Sequence, residues 1–86
     1  VNTAFILMAQ YDARAIIPIE LVARDYFSHL TPGKLIQKID HGEIKLPLVR
    51  IEASQRAARG VHVGDLAAWI DARREAAQKE LRQITE

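Results

Sequence analysis

Lys34, Gln37, Lys38 and His41 are spaced so that, at about 100° per residue, a helix gathers them onto one face. Two ammonium groups, a carboxamide and an imidazole do not make a bond-breaking set. They are mainly hydrogen-bond donors, and the amide also accepts. Their chemistry is recognition: lysine donates to phosphate or to guanine O6 and N7, and glutamine pairs with adenine N6 and N7. His41, at the end of the segment, suits a backbone contact or the negative end of the helix dipole. Arg50, Gln55, Arg56 and Arg59 follow as a second polar set. The planar fork of arginine matches phosphate and also fits a minor groove. A solvated helix face or a cationic loop carries such residues too, so the elements that hold them must decide.

Those elements begin with Thr31-Pro-Gly-Lys34. Thr31 can cap a helix, and Pro32 suits its first position because the N–H it lacks has no partner there. Gly42 suits a left-handed exit. Between these stops, Leu35, Ile36 and Ile39 fall opposite the cations, so the helix Pro32 to His41 buries one face and presents the other. Before it, Pro18 opens a helix from Ile19 to Tyr26 or Phe27, with Ile19, Val22, Ala23 and Tyr26 as its apolar stripe. Ser28-His-Leu30 forms the turn, and Leu30 plugs the core between the two helices.

After Gly42, the stretch Ile44 to Ile51 favours strand but is interrupted by Pro47, which belongs at an edge. Alternation turns Val49 and Ile51 inward and Arg50 outward. Val61-His-Val63 returns as the second strand, and the cationic segment between makes a long-tipped wing. Ala15 to Ile17 is a short β-branched stretch able to pair with this hairpin. Asn2 to Tyr11 is expected to be a helix capped by Asn2 or Thr3. A last helix is expected from Asp65 to about Gln83, with Leu66, Trp69, Ile70, Arg73 and Ala77 on one stripe and Leu81 and Ile84 continuing it less regularly.

Several function classes drop out. There is no cysteine, hence no disulfide, thiolate metal site or thiol nucleophile. His29, His41 and His62 lack metal-ligand spacing. Acidic residues are scattered, with no pair placed for general acid–base work, and no phosphate-cradling glycine loop or serine elbow occurs. Neither enzymatic activity nor a cofactor is expected. No apolar run approaches the roughly 18 residues of a membrane span, and no basic leader segment is evident, so the expected location is the cytoplasm. The 86 residues suit one small domain, 1–86, with 72–86 as a C-terminal helical extension. Net charge is only +1, but residues 31–62 hold six cations against three acids. Local field matters more than the total, and this segment is the positive one.

The resulting fold class is mainly α with a small β-hairpin, a winged helix-turn-helix. Asn2-Thr-Ala-Phe-Ile-Leu-Met-Ala-Gln-Tyr11, Ile17-Pro-Ile-Glu20, Arg24-Asp-Tyr-Phe-Ser-His-Leu30, Leu46-Pro-Leu-Val-Arg-Ile-Glu52, Ala57-Ala-Arg-Gly-Val-His62 and Asp65-Leu-Ala-Ala-Trp-Ile-Asp-Ala-Arg73 resemble the pyocin activator protein (PrtN) family over nearly the whole chain. More broadly, Ile17 to Trp69 is similar to the excisionase and MerR-like winged-helix group, although Ala23 to Leu30 is longer than the tight turn of that group. The resemblance implies a transcriptional activator that binds promoter DNA of phage-tail-like bacteriocin genes in the DNA-damage response. It assigns the DNA-facing roles to Lys34, Gln37 and Lys38 on the helix and to Arg50, Gln55, Arg56 and Arg59 on the wing.

The expected partner is therefore double-stranded promoter DNA, with RNA polymerase as a further partner. One module has a small footprint, so a homodimer or several copies on repeated sites is expected. Phe5, Met8, Ala77 and Leu81 are the apolar residues available for self-association. Two other roles use the same face: an excisionase-like protein that bends DNA, and an adaptor whose basic surface meets an acidic protein.

Overall fold

A computed structural model describes residues 2–52 and 58–85. Four helices and three short strands follow one another: α1 (Thr3–Gln10), β1 (Ile16–Pro18), α2 (Ile19–Tyr26), α3 (Pro32–Asp40), β2 (Val49–Arg50), β3 (Arg59–His62) and α4 (Val63–Thr85). The mainly helical architecture with a small sheet is the one the sequence predicts.

The strands form one antiparallel sheet in the order β1-β3-β2. The short β-branched stretch before Pro18 does join the hairpin, with Ile16 opposite His62 and Ile17 opposite Val61. Pro18 lies on the edge strand β1, where its missing N–H is tolerated. Gly60 is required on the central strand. A β-carbon there would sit 2.6 Å from the Ile17 carbonyl oxygen and 2.7 Å from Cγ2 of Ile16.

Leu7, Ile17, Val22, Leu35, Val61 and Leu66 are all below 2% exposed, one each from α1, β1, α2, α3, β3 and α4. Each such burial is worth about 1.5–3 kcal/mol. Phe27 is also buried, and its ring lies 4.9 Å from that of Trp69, inclined by 46°. Trp69 is thus a packing residue that joins the turn after α2 to α4.

α1 begins where Asn2 Oδ1 accepts the Ala4 N–H at 2.8 Å. It ends at Tyr11, and Asp12 and Ala13 then take left-handed backbone with φ of 56° and 60°. A polar clasp ties α1 to α2. The Tyr11 hydroxyl donates to Asp25 Oδ2 at 2.6 Å, Arg24 Nε donates to Oδ1 at 2.8 Å, and the Tyr26 hydroxyl donates to Gln10 Oε1 at 3.0 Å. Burial first, then the bond to Asp25, raises the Tyr11 phenol above its usual range. Arg24, then Tyr11, holds the Asp25 carboxyl below its ordinary 3.8. A depressed folded pKa stabilises at neutral pH, and that contribution disappears as pH falls below the unfolded value and through the folded one. The expected result is a steeper loss of stability below pH 3.8 in the wild type than in Asp25→Asn. Thermal midpoints measured across acidic pH check this.

Three expectations change. The arm before the wing is laddered only at Val49–Arg50. Leu46 is buried and Ile44 and Leu48 are half-buried, so these residues pack rather than pair, and Pro47 among them has no N–H to donate. Ile51 does not turn into the core: it is 62% exposed. Its N–H still bonds to the Ala58 carbonyl at 3.1 Å, but this rung lies past the β1-paired positions of β3, which supply the third strand. Last, the returning strand spans Arg59–His62 and not Val61 to Val63, because α4 starts at Val63, ahead of Asp65. His62 Nδ1 accepts the Gly64 N–H at 2.9 Å, doing what a serine or aspartate cap does. Asp65 instead sits in the first turn, where its charge suits the dipole.

Candidate nucleic-acid interface

α3 is stopped at both ends. At its start, Thr31 Oγ1 accepts the Lys34 N–H at 3.2 Å, and Pro32 occupies the first position. At its end, the N–H groups of Gly42 and Glu43 bond to the carbonyls of Ile39 and Lys38 at 3.1 and 2.9 Å. These paired bonds need a left-handed residue between them, and Gly42 supplies it with φ of +76°. The helix is therefore a short block of defined length.

Packing fixes its rotation. Leu35 is fully enclosed, and Ile36 and Ile39 are half-buried against the core, with α2 packed alongside. Lys34, Gln37 and His41 are exposed and Lys38 is half-buried. Lys34 and Gln37 lie well away from Leu35, while Lys38, three residues on from Leu35, borders the buried face. His41 follows the helix as its C-cap, since α3 ends at Asp40.

Lys34 is informative for a second reason. It is the third residue after a threonine cap, where glutamate would complete a reciprocal capping box. A cation at the positive end of a helix is the less stable choice for folding. Folding alone would favour glutamate at this position.

Arg50 and Arg59 occupy directly opposite positions of the β2–β3 ladder, so their side chains leave the same face of the sheet. Arg50 is exposed and Arg59 half-buried. Gln55 and Arg56 lie outside the described residues. The structure thus places the helix set on one face, and Arg50 with Arg59 on one rung of the wing. Residue-type reasoning passed over Lys45, an exposed cation on the segment joining α3 to the wing. Its only sequence signal is the local positive excess.

A groove of about 610 Å³ runs between residues 43–47 and the first half of α4, lined among others by Glu43, Lys45, Asp65, Trp69 and Arg73. Its charges are mixed, and among the described residues none of those expected to meet DNA lines it. Among the described residues, no group of three His, Asp or Glu side chains is placed to hold a metal ion.

Comparison with known proteins supplies the remaining observation. Residues 3–77 match the family described as pyocin activator protein PrtN. The chain belongs to that family. The pyocin activator family is a family of regulators and not of enzymes. Membership gives the chain a role in activating pyocin genes. Neither a curated protein nor a solved structure matches it. Among the described residues no helix is long and apolar enough to cross a membrane.

Proposed function

We propose that this pyocin activator works in the cytoplasm as a sequence-specific DNA-binding protein, with α3 in a major groove and the β2–β3 wing on the adjacent backbone. α3 carries the reading. Leu35 seats its apolar face in the core with Ile36 and Ile39 half-buried beside it, and the other side of this doubly stopped helix and its C-cap carries two cations, an amide and an imidazole. Gln37 is the base-edge reader, Lys34 and Lys38 meet guanine or phosphate, and His41 meets backbone. Arg50, Gln55, Arg56 and Arg59 clasp phosphates beside the groove. DNA-damage-dependent expression and contact with RNA polymerase complete the proposed role.

The test separates reading from gripping. A duplex obtained by binding-site selection and a scrambled duplex are titrated at several salt concentrations. Gln37→Ala is expected to relax preference at a single base pair by about 1–3 kcal/mol. Arg59→Ala is expected to weaken both duplexes alike and to lower the salt slope by roughly one. Equal effects of the two variants on both duplexes would remove the proposed division of labour. Equal wild-type affinity for both duplexes would favour the adaptor role.

A further inference from the structure

The first helix and the last helix each carry an apolar face that the fold leaves uncovered. On α1, Leu7 and Tyr11 turn inward, while Phe5, Ile6 and Met8 are 67%, 53% and 37% exposed. A helix that is apolar all round is normally covered on every side. On α4, the stripe Val63, Leu66 and Ile70 packs on the core and then runs on past it. Its continuation is Ala77, Leu81 and Ile84, with Leu81 61% and Ile84 82% exposed.

The two faces are brought into register by the way α1 lies on α4. Thr3 Oγ1 donates to Asp71 Oδ1 at 2.7 Å, and the Val63 N–H donates to the Ala15 carbonyl at 2.8 Å. α1 therefore runs antiparallel to α4, its start beside Asp71, and the stretch of α4 beyond it projects from the body. At about 1.5 Å per residue, Phe5 and Ile6 stand level with the turn of α4 that holds Trp69 and Ile70.

We propose that this chain pairs with a second copy of itself through α4, the two helices antiparallel, with each projecting tail laid across α1 of the other copy. Centred between Ala76 and Ala77, this pairing sets Ile84 of each copy level with Trp69, and so with Phe5, of the other, and Leu81 one turn away at the start of the other copy's α1.

Charge selects the same register. Arg73 has Trp69, Ile70, Ala76 and Ala77 three and four residues away, and Glu80 has Ala76, Ala77, Gln83 and Ile84. Neither meets an opposite charge at helical spacing on its own helix, whereas Glu75 and Lys79 have each other at i, i+4. Arg73 and Glu80 flank the stripe on the same side and are equidistant from the proposed axis. In the antiparallel pair each Arg73 faces the Glu80 of the second copy, twice by symmetry. Arg74 interrupts the stripe, and its aliphatic stem can cover Ala77 of the second copy while its head stays in water. Five large apolar side chains per copy amount to surface on the order of 1,000 Å², the threshold for a specific interface.

Sedimentation equilibrium of the full chain without DNA tests the pairing independently of the promoter reading. A concentration-dependent dimer is expected. Leu81→Glu combined with Ile84→Glu should weaken association by more than about tenfold, with helical content unchanged by circular dichroism because both positions are exposed. Arg73→Glu alone and Glu80→Arg alone should each weaken it, and the two changes in one chain should restore it. A monomer at every concentration up to the millimolar range would overturn the proposal. So would a dimer indifferent to the tail changes, or a double charge exchange that fails to recover association.

Discussion

Lys34→Glu combined with Lys38→Glu is expected to lower affinity for the selected duplex by at least about a hundredfold and the salt slope by roughly two. Thermal stability should move by no more than about 0.5 kcal/mol. Two cations facing the duplex become two anions, so favourable contacts are lost and repulsion replaces them. The folded state is far less affected. Lys34 is exposed and Lys38 half-buried, and among the described residues neither holds an ion pair within 4.0 Å. Glutamate at 34 completes a capping box with Thr31 and suits the positive end of the helix, while glutamate at 38 is disfavoured in the last turn. These helix terms are of similar size and opposite sign. Fluorescence anisotropy with a labelled duplex and a thermal melt on the same sample measure both quantities. Unchanged affinity would remove α3 from the interface, and a large fall in melting temperature would make the lysines structural.

Much of this arrangement is legible in the sequence because it depends on local chemistry. Thr31, Pro32 and Gly42 bracket α3 through capping, fixed φ and a left-handed exit, and these effects do not wait for tertiary packing. Leu35, Ile36 and Ile39 identify its inner face by period alone. Most features that escape the sequence depend on what lies nearby in space. Ile51 alternates correctly yet finds no core, because the ladder has outrun its third strand. His62 caps α4 through a local bond to the Gly64 amide, and it escapes the sequence because imidazole is an uncommon cap. Arg73 and Ala77 fit the stripe of α4 by period, but the domain body ends before reaching them, and both are exposed. On the interface side, residue type and spacing suffice to put Lys34, Gln37, Lys38 and His41 together. The opposition of Arg50 and Arg59 requires the register of the sheet.

Leu35→Ala is expected to cost about 2–5 kcal/mol, the largest stability effect among the changes considered for α3. Leu35 is 0% exposed and is the one fully enclosed residue that α3 contributes. Its removal takes away the transfer energy of the side chain and leaves a void that the short, doubly stopped helix cannot close by sliding. A chain of 86 residues has a total stability of roughly 4–13 kcal/mol at typical values per residue, so a large share would disappear. Leu35→Met keeps the volume and should cost less than about 1.5 kcal/mol. Urea unfolding followed by circular dichroism gives both values. Under conditions where Leu35→Ala remains folded, its salt slope on DNA should equal the wild-type slope, because every cation is retained. A loss under about 1 kcal/mol would mean that Leu35 does not seat the helix. The outward direction of Lys34, Gln37 and Lys38 would then lose its physical basis.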